Sequence, residues 1–257
     1  MKEHGIPKIP NRSIPVNPEG YTEPTELLTP EGITLYQSLI GSLLYINRMT
    51  RPDISLHVNL LGRRTSKPGA NNFQTAKQLG QYLASTQNEG LTIKATITES
   101  TEEVPINIYA DASYGVENSR SYSGSLVTLH GTSVMWSLRK QDVVSMSITE
   151  AEYIACSESA KDGQWIWQFL NEMFPKTINV IPGQYTDNEA ALKLTKTQTF
   201  HRRTRHIEHR FHYIRELVDR KTVQITGIPG KNNPADPLTN LLPMASIGRW
   251  KQENSIG

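Results

Sequence analysis

The first part of the chain places apolar residues at helical spacing. Apolar residues between 36 and 46 recur every three or four positions, and the same spacing continues over 55–64 and 73–83. This spacing predicts three helices, with Pro52 in the first turn of the second. Residues 34–98 are therefore predicted to form a small helical unit.

Near residue 95 the pattern changes from helical spacing to a period of two. Apolar and polar residues alternate over 104–111, which is typical of a half-buried strand. The further predicted elements, in order, are strands at 125–129 and 133–137, a long helix at 147–174, a strand at 180–186, helices at 189–196 and 206–220, a strand at 223–228 and a short helix from Pro234. Strands separated by helices predict a mixed sheet with helices on its faces.

Composition excludes several classes of protein. The chain has 257 residues and one cysteine, so an internal disulfide and a cysteine-rich zinc site are both excluded. No stretch reaches the roughly 18 consecutive apolar residues that a membrane span needs. The N-terminal residues also lack the apolar core of a signal peptide. We therefore expect an intracellular chain without a membrane partner.

The net charge of +2 conceals an uneven distribution. Residues 193–215 contain seven basic residues and one acid, a net charge of +6. Such a concentrated basic stripe suggests a polyanionic partner, although a solvated, charged helix face is the commoner explanation at this point. His206, His209 and His212 also lie in this stripe. A zinc site there is disfavoured, because steps of three drift around a helix and no nearby cysteine or acid completes a ligand set.

Three acids follow predicted strands. Asp111 ends the first strand of the sheet, Asp187 ends the strand after the long helix, and Asp236 follows the last strand. Ligands in such sheets favour the carboxyl ends of the strands. Acids that meet there repel one another unless divalent cations neutralise them. This arrangement predicts a divalent metal site.

A fourth acid is expected from the long helix, where Glu150 and Glu152 lie two residues apart and therefore point in different directions. Helix positions on the side of Glu152 are small or apolar, whereas those on the side of Glu150 are more polar. The side of Glu152 is thus the one that packs on the sheet. We assign Glu152 to the metal site and Glu150 to the first helical turn, which Ser147 or Thr149 would cap. Trp165, Trp167 and Phe169 of this helix are expected in the core.

Several segments resemble one known family. The blocks that carry the four acids resemble those of the ribonuclease H (RNase H) domain of copia-type LTR retrotransposon Pol polyproteins; they are YADASYG, SITEAEYIACSESAK, YTDNEAALKL and GIPGKNNPADPLTNLL. WSLRKQDVVSMSITEAEY and FHRRTRHIEHRFHYIRE resemble the same family in the same order. Upstream, LYQSLIGSLLYINRMTRPDISLHVNLL resembles the end of the adjoining reverse transcriptase.

Composition predicts the first segment of the chain, and the resemblance implies the segments that follow. An extended leader (1–33, rich in Pro, Gly, Thr and Glu) precedes a remnant of the reverse transcriptase thumb and connection (34–98). An RNase H-like domain (103–241) and a C-terminal tail (242–257) follow. The implied fold class is α/β: an RNase H-like five-stranded mixed sheet flanked by helices, preceded by the small helical remnant.

The resemblance also implies an activity and its residues. Asp111, Glu152, Asp187 and Asp236 would bind two Mg²⁺ or Mn²⁺ ions and hydrolyse the RNA strand of an RNA–DNA hybrid. Nucleic-acid contacts are expected from seven cations, namely Arg202, Arg203, Arg205, His206, His209, Arg210 and Lys231. Further expected partners are the polymerase part of a reverse transcriptase or other element proteins. The expected locations are the cytoplasm, including virus-like particles, and the nucleus.

The chain also departs from the family pattern. The aromatic-x-Asp-Asp turn of the polymerase is absent, so no polymerase activity is expected, as in a truncated or domesticated element. Ser113 stands where the family often has an acid, and Asn240 stands where a lysine is usual. No histidine lies between Ile228 and Asp236, so His206 or His209 would have to assist product release.

Two rival functions remain. One is a transposase- or integrase-type nuclease, in which the acids follow the order Asp, Asp, Glu; the order here is Asp111, Glu152, Asp187, Asp236, which argues against it. The other is a catalytically silent module that binds nucleic acid or protein.

Overall fold

The computed structural model describes residues 14, 17–93, 104–115, 120–174, 181–196, 208–254 and 256. The chain divides into two compact units. The first unit comprises residues 1–92 and 241–257, and the second comprises residues 93–240. No helix among the described residues is long and apolar enough to cross a membrane.

The helices and strands follow the order that the sequence predicts. The described helices are α1 (Pro30–Met49), α2 (Ser55–Gly62), α3 (Ala70–Ser85), α4 (Ile148–Met173), α5 (Glu189–Lys196), α6 (Glu208–Asp219), α7 (Asp236–Thr239) and α8 (Met244–Glu253). The described strands are β1 (Ile106–Ser113), β2 (Tyr122–Leu129), β3 (Thr132–Lys140), β4 (Gly183–Thr186) and β5 (Gln224–Gly227). A short 3₁₀ helix begins at Pro52, where a helical start was predicted.

The first unit has a helical core that includes Tyr36, Leu39 and Leu43 of α1. A buried ion pair lies beside this core, since Arg51 donates two hydrogen bonds to the Asp53 carboxylate, at 2.8 and 2.7 Å. The Tyr82 hydroxyl donates to the same carboxylate at 2.7 Å, so its charge is met by several donors.

The structure differs from the sequence prediction at both ends of the first unit. Residues 17–33 are not an extended leader: a 3₁₀ helix spans Pro18–Tyr21, and α1 already begins at Pro30. Tyr21 is buried, with its hydroxyl 2.7 Å from His57 Nδ1. The segment 242–257 contains α8, whose Trp250 is also buried. A buried aromatic residue anchors each of these segments. One such residue does not produce a periodic apolar pattern in the sequence.

The second unit is built on a five-stranded sheet with the order β3-β2-β1-β4-β5. Strands β1, β2 and β3 are antiparallel neighbours, whereas β1, β4 and β5 run parallel. A two-residue turn with positive φ at His130 and Gly131 joins β2 to β3, as tight hairpins require. The expected mixed sheet flanked by helices is confirmed. Strand β4 has four residues and begins directly after Pro182. A proline has no backbone N–H to donate to a neighbouring strand, so the strand begins later than the predicted residue 180.

Helix α4 packs on the centre of the sheet. Its Tyr153, Ile154 and Cys156 share a core with Ala110 of β1 and Ile225 of β5. The expectation of a core role for its aromatic residues was partly wrong. Trp167 is partly buried, but Trp165 and Phe169 are 56% and 46% exposed and stack on each other with ring centroids 5.6 Å apart. They lie four residues apart on the solvent side of the helix, where their mutual contact removes some apolar surface from water.

Close packing at Gly163 fixes the distance between α4 and β1. A Cβ atom at this position would lie 2.0 Å from Ile108 Cδ1. Gly163→Ala should therefore lower the free energy of unfolding by about 1–3 kcal/mol, because overpacking outweighs the gain in helix propensity. Urea denaturation measures this loss. The double variant Gly163→Ala/Ile108→Ala should be more stable than the two single losses predict, and strict additivity would contradict the proposed contact.

Candidate metal centre

Three of the four predicted acids come together in the second unit. Asp111 lies in β1, Glu152 in the second turn of α4, and Asp187 directly after β4. Each offers one carboxylate oxygen, and these oxygens all lie within 4.8 Å of one another. The parallel register explains the meeting of the two aspartates: Tyr109 pairs with Tyr185, and each aspartate follows two residues later.

The position of Glu152 follows from the helix pattern. Its side of α4 faces the sheet, and Glu152 is only 6% exposed. Glu150 instead belongs to the first turn, as predicted, where its Oε2 accepts a hydrogen bond from the Met146 amide at 2.8 Å. Ser147, one of the two predicted caps, accepts from the Glu150 amide at 3.1 Å. These reciprocal bonds fix the start of the helix and therefore the place of Glu152.

The acidic cluster has the chemistry of a divalent cation site. Asp111 and Glu152 are buried, and Asp187 is partly buried. Glu152 Oε2 has no hydrogen-bond partner among the residues that the structure describes. A buried carboxylate oxygen without a donor is unfavourable unless a cation approaches it. Carboxylate oxygens are also the ligands that Mg²⁺ and Mn²⁺ prefer, so the residues present fit such an ion.

Burial and mutual repulsion shift the protonation of the cluster. Burial, together with the charges of Asp111 and Asp187, raises the pKa of Glu152 to about 9. Burial also raises the pKa of Asp111 to about 6, and the charges of Asp187 and Asp236 add to this effect. The pKa of Asp187 is raised, mainly by burial. Without a cation, the folded protein therefore retains protons on this cluster at neutral pH.

Asp236 lies outside this group of three. It is the first residue of α7 and is partly exposed, and its Oδ1 accepts a hydrogen bond from Asn240 Nδ2 at 2.7 Å. Its charge nevertheless acts on Asp111 and Asp187, so it borders the cluster. The sequence analysis placed all four acids in one site, and the structure brings three of them together with the fourth at the edge.

Two polar residues near Asp111 were not singled out by the sequence analysis. Thr239 at the end of α7 donates a hydrogen bond to Asp111 Oδ2. Asn233 Nδ2 donates to the Ala110 carbonyl at 3.0 Å and lies 3.5 Å from Asp111 Oδ1. Both residues belong to the block that contains Asp236. A search for charged residues passes over them because they are neutral.

The predicted nucleic-acid contacts are mostly outside the described residues. Four of the seven cations, Arg202, Arg203, Arg205 and His206, lie there. The backbone of His209 and Arg210 belongs to α6, but the placement of their side chains is not described. Lys231 is exposed in the 3₁₀ helix Gly230–Asn232. Contact of these residues with nucleic acid stays a prediction.

Cys156, four residues after Glu152 on α4, is fully buried. Burial raises the pKa of its thiol to about 12. The thiol therefore stays protonated at neutral pH, and a role as thiolate ligand or nucleophile is excluded.

Comparison with known proteins gives relatives of one kind over most of the chain. The chain is 34% identical over 210 residues to the retrovirus-related Pol polyprotein from transposon TNT 1-94 of Nicotiana tabacum, which covers 81% of this chain. It is 33% identical over 237 residues to the retrovirus-related Pol polyprotein from transposon RE1 of Arabidopsis thaliana, which covers 91% of this chain. The chain spans about 15% of the length of these curated relatives. No protein-family model matches it.

Among solved structures, the N-terminal RNase H domain of a Mycobacterium tuberculosis protein, solved as a fusion with maltose binding protein, is similar to this chain. The TM-score is 0.41 at 15% identity, and the match covers 58% of this chain and 97% of the other. Three observations agree with one another: the order of the acidic blocks, the mixed sheet of the second unit, and the relatives. The chain therefore belongs to the retrovirus-related Pol polyproteins of transposons.

Proposed function

We propose that this chain is a metal-dependent endoribonuclease that hydrolyses the RNA strand of RNA–DNA hybrids. The observation that carries the proposal is the meeting of Asp111, Glu152 and Asp187, with one buried glutamate oxygen that lacks a donor among the described residues. Placed in the RNase H domain of a Pol polyprotein, such a cluster supports phosphodiester hydrolysis more than any other reaction.

Each acid has a distinct part in this proposal. Asp111, Glu152 and Asp187 would hold Mg²⁺ or Mn²⁺, and Asp236 at the edge of the cluster would complete the ligands of a second ion. The divalent ions that these residues would hold would supply activation of the attacking water and charge stabilisation of the leaving oxygen. Glu152 would lose its proton on cation binding, because the positive charge would offset the burial and the repulsion that raise its pKa.

The proposed substrate follows from the positive charge of one segment of the chain and from the chemistry of the RNA strand. The basic stripe at 193–215, with a net charge of +6, and Lys231 would bind the phosphates of the hybrid. Selection of the RNA strand would depend on its 2′-hydroxyl groups and on the shape of the hybrid rather than on base edges. The polymerase part of a Pol polyprotein is the partner that we propose for this chain.

A panel of three duplexes tests the proposal. The full chain in Mg²⁺ is given an RNA–DNA hybrid, a duplex DNA and a duplex RNA, each labelled on one strand. We expect cleavage of the RNA strand of the hybrid alone. Cleavage of duplex DNA would instead indicate an integrase-type nuclease, and binding of the hybrid without cleavage would indicate a catalytically silent binding module.

A further inference from the structure

Thr239 is a buried polar residue on α7 whose hydroxyl contacts the carboxylate of Asp111. We propose that Thr239 is a positioning residue of the metal centre: its hydroxyl holds Asp111 in the orientation that a divalent ion requires. The metal in this statement rests on the proposed function. The contact itself joins two residues of the second unit that are 5% and 4% exposed.

The direction of the hydrogen bond follows from the neighbours of the hydroxyl. Besides Asp111 Oδ2, Thr239 Oγ1 lies 3.1 Å from the Asp236 carbonyl oxygen and 3.3 Å from Asn240 Nδ2. The asparagine amide can only donate, so the hydroxyl accepts from it. The single hydroxyl proton then goes to one of two oxygens, and a carboxylate is a stronger acceptor than a peptide carbonyl. Thr239 therefore donates to Asp111.

Close packing against β2 fixes the position of Thr239. Gly124 is the cross-strand partner of Asp111 in the sheet register. A Cβ atom on Gly124 would lie 2.8 Å from Thr239 Cγ2 and 3.3 Å from Leu238 Cβ. The glycine thus leaves room for α7 directly opposite the metal-site aspartate. The threonine methyl fills that room, and the hydroxyl on the same Cβ is directed to the carboxylate.

Asn233 holds the same aspartate from its other oxygen. Its amide donates to the Ala110 carbonyl at 3.0 Å and lies 3.5 Å from Asp111 Oδ1, while its own Oδ1 accepts from the Ala235 amide at 3.1 Å. Each carboxylate oxygen of Asp111 therefore has a polar neighbour from the segment around α7. Together these neighbours restrict rotation of the carboxylate about its Cβ–Cγ bond.

A carboxylate with a fixed orientation does not have to be ordered when the cation binds. Groups that orient metal ligands typically contribute a factor of about 10–100 to metal affinity. Thr239→Val keeps the shape of the side chain and removes the hydroxyl. Thr239→Ser keeps the hydroxyl and removes the methyl group that packs against Gly124. The two variants therefore separate orientation from packing.

The test is the affinity of the full chain for Mn²⁺ alone, measured by titration calorimetry without nucleic acid. We expect Thr239→Val to bind Mn²⁺ about tenfold more weakly than the parent, and Thr239→Ser to stay within about threefold of it. Asp111→Asn defines the binding that remains without this site. Circular dichroism in EDTA establishes that each variant is folded, and Thr239→Ala replaces the valine variant if that one is not.

The outcomes separate this proposal from the proposed function. Parental Mn²⁺ affinity in Thr239→Val would overturn the positioning role even if the parent cleaves hybrid. Equal losses in the valine and serine variants would also overturn it, in favour of packing alone. Weaker binding in the valine variant alone supports it, even in a protein that cleaves no hybrid. A parent that binds no Mn²⁺ would overturn both proposals.

Discussion

Glu152→Gln is expected to lower the rate of hybrid cleavage about a thousandfold and, in the same protein, to raise the stability of the metal-free fold. Loss of a bound ion removes several kcal/mol of transition-state stabilisation, and each 1.4 kcal/mol is about tenfold in rate. The gain in stability has a different cause. Without a cation, the buried Glu152 carboxyl is protonated in the folded protein at neutral pH but ionised in the unfolded chain, so folding includes an unfavourable proton uptake that glutamine does not need.

Glu150→Gln is the matched control for this prediction. Glu150 lies two residues earlier in the same helix, but its carboxylate accepts a hydrogen bond from the Met146 amide rather than joining the cluster. An amide oxygen can still accept that bond. Cleavage by Glu150→Gln should therefore remain within about threefold of the parent, since no transition-state interaction is removed.

Cleavage rates in Mg²⁺ and urea unfolding in EDTA measure the two effects of Glu152→Gln separately. A variant that cleaves hybrid at the parental rate would show that Glu152 is not a metal ligand. A variant that loses both cleavage and stability would indicate a folding role instead. The predicted combination of lost activity and gained stability is typical of residues selected for function rather than for folding.

The metal-free protein is expected to lose stability as the pH rises from 5 to 9. The pKa values of Asp111 and Glu152 are raised to about 6 and about 9 in the folded protein, mainly by burial. Both exceed the ordinary values of 3.8 and 4.5. Between the ordinary and the raised values, the folded state binds more protons than the unfolded state. Stability is therefore present at low pH and falls as the pH rises through the raised values.

The size of the expected loss of stability follows from the pKa shifts of the two acids. Each unit of pKa corresponds to about 1.4 kcal/mol, so between pH 5 and 9 Asp111, with a pKa of about 6, accounts for on the order of 1 kcal/mol, and Glu152, with a pKa of about 9, accounts for most of the loss. Excess Mg²⁺ should remove this loss, because the cation binds the ionised carboxylates and stabilises only the folded state. The dependence on pH should therefore be steep in EDTA and shallow in Mg²⁺.

Urea unfolding at pH 5, 7 and 9 in both buffers measures this dependence. Glu152→Gln in EDTA serves as the control, since it removes one of the acids whose pKa is raised in the folded protein and should lose correspondingly less stability over the same range. Parental stability in EDTA that stays constant or rises from pH 5 to 9 would contradict the account. So would an equal fall in the parent and in Glu152→Gln.

The three clustered acids could be located largely from the sequence, because each lies in a regular element or directly after one. The alternation of β1 and the position of Asp187 after β4 indicated the two strand ends, and the parallel pairing aligns them. The pattern of small and apolar residues along α4 separated Glu152 from Glu150, as the structure does. Where an element has a strong period, the direction of a side chain follows from its position.

The remaining features depend on tertiary contacts, which leave no periodic pattern in the sequence. Asp236 lies at the edge of the cluster, where its carboxylate accepts a hydrogen bond from Asn240, the residue that follows the short α7. Thr239 reaches Asp111 only because Gly124 leaves space in the neighbouring strand. Trp165 and Phe169, expected in the core, instead stack on each other at the surface. Some of these contacts join residues that are distant in the sequence. Others lie on the solvent side of a helix, where the hydrophobicity of a side chain alone predicts the wrong environment.

The most direct test of the central claim is cleavage of an RNA-labelled RNA–DNA hybrid in Mg²⁺ by the full chain and by Asp187→Asn. Asp187 is the partly buried acid of the cluster, and asparagine keeps its size while removing its charge. The account predicts that the parent cleaves the RNA strand only when Mg²⁺ is present, and that Asp187→Asn does not. Cleavage that persists in EDTA, or equal cleavage by Asp187→Asn, would contradict it.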